Sequence, residues 1–263
     1  YQQSPRPGLI ALLGERKQRA ITVTDLVFRV APRINAAGRM KHGTYAVELL
    51  LSETTEEASK RAEAIEAFNE DRKAQDRDIT EQALSQIEES GQTNKKSIVV
   101  YDPNWHKGVI GIVASRLIET HYKPTVVFTR SGDVLTASAR SVRGFDLYAS
   151  LSQCQEHMIQ FGGHKYAAGL TIRTEQYDGF CECFEQVVSR QIQSDQQERT
   201  LRIDMEIPIE EITPKFYRII NQMAPFGPGN MRPVLLSKRV KDRGNAKLVG
   251  SDKTHLKCSF VAG

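Results

Sequence analysis

The chain has 263 residues, enough for one or two domains with cores of their own. Its 40% hydrophobic and 26% charged residues suit a globular protein; no stretch approaches the roughly 20 apolar residues of a membrane span, and no signal-peptide pattern opens it. The net charge of +4 is unevenly divided: +5 over residues 1–51, −7 over 52–90, +1 over 91–199 and +5 over 200–263. Two basic ends around an acidic segment suit a polyanion, although a solvated surface produces similar numbers. The four cysteines (Cys154, Cys181, Cys183, Cys258) do not make a disulfide scaffold, and Cys181-Glu-Cys183 lacks zinc-site spacing. Reduced thiols in a cytoplasmic protein is the plain reading.

Residues 1–51 open without methionine and read as the tail of something longer. Leu9–Leu13 is a short apolar run, and Pro32 and Gly38 bracket a loop or helix start, Pro-Arg-Ile-Asn-Ala-Ala-Gly. Arg33, Asn35 and Arg39 supply guanidinium and amide donors at short spacing, the chemistry that grips phosphate oxygens. They could equally be surface or interface residues. Ser52–Ser90 is the clearest helix. Thr54-Thr-Glu-Glu57 forms a capping box, and Ala58, Ala62, Ile65, Phe68, Ile79, Ala83 and Ile87 fall near a 3.6 period. A rod of about 54 Å with one thin apolar stripe suits a connector better than a core element.

From Lys95 the pattern alternates. Strands are expected at Ser97–Tyr101, Thr125–Phe128, Asp133–Ser141 and Ala168–Ile172, and helices at Val109–Tyr122, Gly144–Cys154 and Tyr177–Gln193, which makes one α/β domain. Ser138 and Arg140, two apart on a strand, share a face, and a hydroxyl beside a guanidinium fork can clamp a terminal phosphate. A solvated strand face is the alternative. Trp105 and His106, in a loop before a helix, could stack on a base, while Trp105 is as readily a core plug. Phe161–Leu170, FGGHKYAAGL, places bare backbone at Gly162 and Gly163 beside the donors of His164 and Lys165, with Ala167, Ala168 and Gly169 as a wall of small residues. The alternative is a Gly-Gly turn feeding a buried strand.

Gln196–Arg199 reads as a linker. Thr200–Ile209 alternates with Leu201, Ile203, Met205 and Ile207 inward, Pro214–Ala224 is a short helix, and Pro225–Asn230 is a rigid turn cluster. Strands follow around Val234–Val240 and His255–Val261. Lys238, Arg239, Lys241 and Arg243, with Lys247, Lys253 and Lys257 beyond them, make a basic tail opposed only by Asp242 and Asp252. It suits a phosphate track with little stacking, or a plain solvated face.

The segment GGHKYAAG resembles the DHH-associated domain of the DHH phosphoesterase superfamily. Trp105–Arg116, Ala137–Ser141, Gly144–Leu147 and Pro225–Asn230 resemble the RecJ family of single-strand-specific DNA exonucleases, and Pro32–Met40 resembles the end of that family's catalytic domain. The resemblance implies an α/β architecture in four parts: the end of a DHH domain at 1–51, a long connector helix at 52–90, a DHH-associated domain at 91–195, and a partial OB-fold at 196–263. It implies a 5′→3′ exonuclease of DNA repair and recombination that uses Mg²⁺ or Mn²⁺ and acts on single-stranded DNA, with other DNA-repair proteins as partners and no membrane. Ser138 and Arg140 match positions associated with the 5′ end of the strand.

Two metal ions need clustered Asp and His residues, yet all six histidines stand apart, there is no Asp-His-His, and the one Asp-x-Asp, Asp76-Arg-Asp78 in the long helix, has no histidine near it in the chain. On this reading the chain lacks catalytic and metal residues, keeps the substrate grip, and is inactive alone. Two rivals remain, a smaller DHH oligoribonuclease or nucleotide phosphatase and a non-catalytic replication scaffold. The long helix and the OB-like tail speak against the first.

Overall fold

In a computed structural model, the structure describes residues 6–14, 21–250 and 253–263. Glu15, Arg16, Lys17, Arg19 and Asp252, which enter the charge pattern above, lie outside them. The chain divides into two compact units, residues 1–199 and 200–263. Among the described residues no helix is long and apolar enough to cross a membrane.

The first unit begins with short helices, α1 (Pro7–Leu13), α2 (Val23–Asp25), α3 (Ala31–Met40) and α4 (Thr44–Leu51). Of the loop or helix start expected at Pro32, the helix start forms. Pro32 sits in the first turn of α3, which continues directly from a π-helical turn at Leu26–Val30. Proline has no N–H for the carbonyl four residues back and its ring crowds it; here that carbonyl is Phe28, inside the widened turn.

Helix α5 (Thr55–Glu89) runs 35 residues, about 52 Å. The Thr54 hydroxyl accepts the Glu57 N–H at 3.2 Å, while the Glu57 carboxylate turns forward to Arg61 at 3.0 Å, so only half of the expected capping box forms. The helix is more than a connector. Its first half packs Ala58 and Ile65 against Leu12, Leu13, Val30 and Leu49; its second half packs Ile79, Ala83 and Ile87 against Ile98, Val100, Val113 and Leu117. Each fully buried isoleucine contributes about 2–3 kcal/mol. Between the two cores the buried stripe turns polar. Asp76, 2% exposed, receives both Arg116 Nε and Nη2 at 2.7 Å, with Arg72 at 3.7 Å. A carboxylate out of water needs such a bidentate partner.

Beyond α5 stands a five-stranded sheet: β1 (Ile98–Tyr101), β2 (Thr125–Ser131), β3 (Val134–Arg140), β4 (Gln160–His164) and β5 (Ala167–Arg173). The order is β1-β2-β3-β5-β4, with β1 and β2 parallel through α6 (Ile110–His121) and all other pairs antiparallel. Strand β3 alternates as a half-covered strand should. Leu135, Ala137 and Ala139 face a core with Leu147 and Leu151 of α7 (Leu147–Ser152) and Phe180 and Phe184 of α8 (Tyr177–Gln191). Thr136, Ser138 and Arg140 face the other way. Phe161–His164 is therefore an edge strand and not the turn expected of Gly-Gly. The reversal falls on Lys165 and Tyr166, whose carbonyls accept the Leu147 and Ser141 N–H groups at 3.0 and 3.1 Å.

The second unit contains β6 (Met205–Glu206), α9 (Pro214–Gln222), β7 (Leu235–Leu236), β8 (Val240–Asp242), β9 (Lys247–Val249), β10 (His255–Lys257) and β11 (Phe260–Ala262). The strands pair as β6–β7, β8–β11 and β9–β10. The long alternating strand expected over residues 200–209 shrinks to two residues. Leu201 is 74% exposed and Ile203 and Met205 are also exposed; only Ile207 is buried. Its N–H bonds the Leu236 carbonyl at 2.9 Å, which anchors that end of the segment.

Candidate nucleic-acid interface

Strand register assembles the site. Across β3, β5 and β4 the aligned residues form three rows on the face of Ser138: Arg140–Ala167–His164, Ser138–Gly169–Gly162 and Thr136–Thr171–Gln160. Rows two residues apart along a strand are spaced by about 6.8 Å. Helix α6 lies over β2 and β3, and beyond it an open cavity of about 520 Å³ runs over the second and third rows, edged by Lys107.

Gly111, in the first turn of α6, lets the helix settle on this face. A Cβ there would lie 2.9 Å from Ser138 Oγ and 3.0 Å from Arg140 Nη2. The positive end of a twelve-residue helix is thereby held against the hydroxyl and the guanidinium. Arg140 is half-buried, donates to the Ala139 carbonyl at 2.9 Å and lies 3.4 Å from Ser138 Oγ; among the described residues it has no carboxylate partner. Burial first, then the nearby Arg39 guanidinium, pushes its pKa down. Arg39, at the end of α3, is exposed and bonds the Gly108 carbonyl at 3.2 Å. Among the described residues neither of these neighbouring cations has an acid partner, which leaves them a ready site for an anion.

Gly162 and Gly163 differ in role. A Cβ at Gly162 would meet nothing within 4 Å, and one at Gly169 would only touch the Ala137 carbonyl at 3.8 Å. A Cβ at Gly163 would strike the Ala167 carbonyl at 2.3 Å and Ala168 Cα at 2.5 Å. Gly163 is thus required by the sheet itself, whereas Gly162 leaves the open face bare. His164 is exposed, and its Nδ1 accepts the Tyr166 N–H at 3.3 Å.

Trp105 does not present a stacking face. It is 5% exposed, sits in the core under α6, and donates Nε1–H to Gln82 at 2.8 Å. His106 is half-buried and shapes its own loop, with Nδ1 accepting the Gly108 N–H at 3.0 Å. Arg33 is separate from the Arg39–Arg140 pair: its Nε ion-pairs with Glu66 and its Nη1 donates to the Arg29 carbonyl at 2.7 Å. Burial would raise the Glu66 carboxyl, but bonds from Arg33 and Asn69 outweigh it and hold the pKa low. Asn35 is exposed.

In the second unit Arg239, Lys241 and Arg243 are exposed, while Lys238 is paired to Glu206 at 2.6 Å. Lys247 stands directly opposite Lys257 in the β9–β10 pair, a like-charge arrangement that costs stability unless an anion lies over it. Sequence reasoning passed over Gln160, Thr136, Thr171 and Lys107. The period-two run Thr136-x-Ser138-x-Arg140 was the available signal.

Residues 94–190 match the DHHA1 domain and residues 203–263 the RecJ OB domain. The chain is 34% identical over 236 residues to the single-stranded-DNA-specific exonuclease RecJ of Bacillus subtilis, covering 89% of this chain and 30% of that protein. It is 30% identical over 263 residues to RecJ of Haemophilus influenzae, covering 96% of this chain and 45% of that one. The crystal structure of Thermus thermophilus RecJ with Mn²⁺ superimposes with a TM-score of 0.81 at 26% identity, covering 98% of this chain and 37% of that one. A structure of the same protein with Mg²⁺ matches equally well. The chain spans less than half the length of these relatives.

Proposed function

We propose that this chain, with its DHHA1 and RecJ OB domains and its likeness to RecJ, is the strand-gripping portion of a 5′→3′ single-strand-specific DNA exonuclease of repair and recombination. The observation that carries the reading is Arg140: half-buried, beside a second arginine, against a helix N-terminus, and without a carboxylate partner among the described residues. Such a guanidinium is arranged to receive a doubly charged terminal phosphate, with Ser138 donating its hydroxyl and Arg39 adding charge. Gly162 leaves room for the nucleotide that follows. In the second unit Arg239, Lys241 and Arg243 attract the strand without reading bases.

The intact enzyme would hydrolyse phosphodiesters with Mg²⁺ or Mn²⁺, the ions in the Thermus structures. Among the described residues no group of three or more His, Cys, Asp or Glu side chains could hold such an ion, so the donors present do not fit it. No hydrolytic step is assigned to these residues. Other DNA-repair proteins are the expected partners, and the cytoplasm is the expected compartment.

The test is binding of short single strands bearing a 5′ phosphate or a 5′ hydroxyl. Wild type should prefer the phosphate, and Arg140→Ala should reduce that preference by about 10- to 100-fold, the worth of one hydrogen bond to a charged group. Equal preference in both proteins would remove the site from this face.

A further inference from the structure

The third row of the open face has no part in a phosphate clamp. Thr136, Thr171 and Gln160 are aligned across β3, β5 and β4, line the cavity of about 520 Å³, and form no side-chain hydrogen bond among the described residues. Three polar side chains in one row, all without a partner, present donors and acceptors outward. The volume is that of a site for a nucleoside-sized molecule. Its floor is the bare pair Gly169–Gly162, where added Cβ atoms would meet almost nothing of the protein, so the space is kept free for something else. Apart from Lys107 at the edge, the lining is uncharged. A second phosphate would call for cations; neutral amide and hydroxyl groups match the edge of a base.

We infer that the base of the first nucleotide lies over the Gly162–Gly169 floor with its edge toward Gln160, Thr136 and Thr171, so that this row senses the terminal nucleotide. The inference rests on the reading of Arg140 and Ser138 as the phosphate clamp, and it gives the strand a direction. From Arg140 the chain passes Ser138 toward Gln160, one row spacing of about 6.8 Å at a time. His164 stands in the Arg140 row, at the opposite end of this face from Gln160, and takes no part in holding the base.

The experiment measures binding of this chain, by fluorescence anisotropy, to short single strands whose first residue is either thymidine or an abasic analogue, each with a 5′ phosphate or a 5′ hydroxyl. Wild type should bind the phosphorylated thymidine strand about three- to tenfold more tightly than its abasic counterpart. Gln160→Ala and Gly162→Leu should each remove most of that ratio and keep the preference for phosphate. His164→Ala should leave the thymidine-to-abasic ratio unchanged. If wild type prefers phosphate yet binds thymidine and abasic strands equally, this inference is overturned and the clamp stands. If wild type shows no phosphate preference, the clamp fails and the inference with it. A thymidine preference that survives Gln160→Ala, or vanishes in His164→Ala, assigns the base elsewhere. Should Gly162→Leu fail to fold, the wild-type and Gln160→Ala comparisons decide alone.

Discussion

Two adjacent glycines on one edge strand should respond in opposite ways to the same methyl group. At Gly163 the new Cβ would stand 2.3 Å from the Ala167 carbonyl oxygen and 2.5 Å from Ala168 Cα, both backbone atoms of the neighbouring strand. Neither can rotate aside, so β4 must move bodily. Overpacking of this kind costs about 1–3 kcal/mol. In a cooperative unit of this size that is a fall in Tm of about 3–10 °C. At Gly162 nothing lies within 4 Å of the added atom, and the alanine restricts the unfolded chain, so Gly162→Ala should shift stability by about 0 to +1 kcal/mol. Binding should invert the order: Gly162→Ala should weaken the grip on a 5′-phosphorylated strand, because its methyl enters the open face. Thermal unfolding and strand titration on the same two variants provide the check. A Gly163→Ala protein as stable as wild type, or a Gly162→Ala protein that loses as much, would refute the assignment of faces.

Trp105→Ala should cost about 3–5 kcal/mol of stability, and Trp105→Phe about 1 kcal/mol for the missing bond to Gln82, with strand affinity unchanged while the protein is folded. Calorimetry and binding together separate this from a stacking role. Glu185 accepts the Lys96 and Ser97 N–H groups at 2.9 and 2.8 Å. Although burial raises its carboxyl pKa, these bonds and that from the Ser97 hydroxyl prevail and hold it low. Its folded value lies below its unfolded value, so the stabilisation is present above the unfolded value and fades as pH falls through the folded one. Glu185→Gln should therefore be less stable near pH 7, with the gap closing below about pH 4. In the basic tail, Lys241→Ala or Arg243→Ala should flatten the log–log salt dependence of strand binding by about 0.7 for each phosphate no longer neutralised. Lys238→Ala should change it less, since Glu206 already neutralises that lysine.

Elements with strong local periodicity were legible in the chain. Helix α5 begins one residue after its Thr54 cap and ends at Glu89, and β3 keeps the alternation that puts Ser138 and Arg140 on one face. What depended on distant partners was not. Nothing in the local sequence marks Asp76 as buried; Arg116, forty residues on, closes over it. Phe161–His164 reads as a turn because glycine pairs favour turns; pairing with β5 makes it a strand. Residues 200–206 alternate like a buried strand, yet Leu201 and Ile203 remain exposed because only Ile207 finds a core position. Arg33 and Arg39 looked equivalent in one basic segment. On a helix, six residues turn the side chain by about 240°, which sends Arg33 to Glu66 and Arg39 to the loop at Gly108. The row Thr136–Thr171–Gln160 was invisible because it exists only through the strand order β3-β5-β4.

The division between these arginines is the sharpest test of the central claim. The ratio of dissociation constants for 5′-hydroxyl and 5′-phosphate strands should be measured in wild type, Arg140→Ala, Arg39→Ala and Arg33→Ala, at a temperature where all four are folded. The ratio should collapse in Arg140→Ala, fall in Arg39→Ala, and stay unchanged in Arg33→Ala. A ratio that survives loss of Arg140, or that depends on Arg33 as much as on Arg39, would contradict that claim.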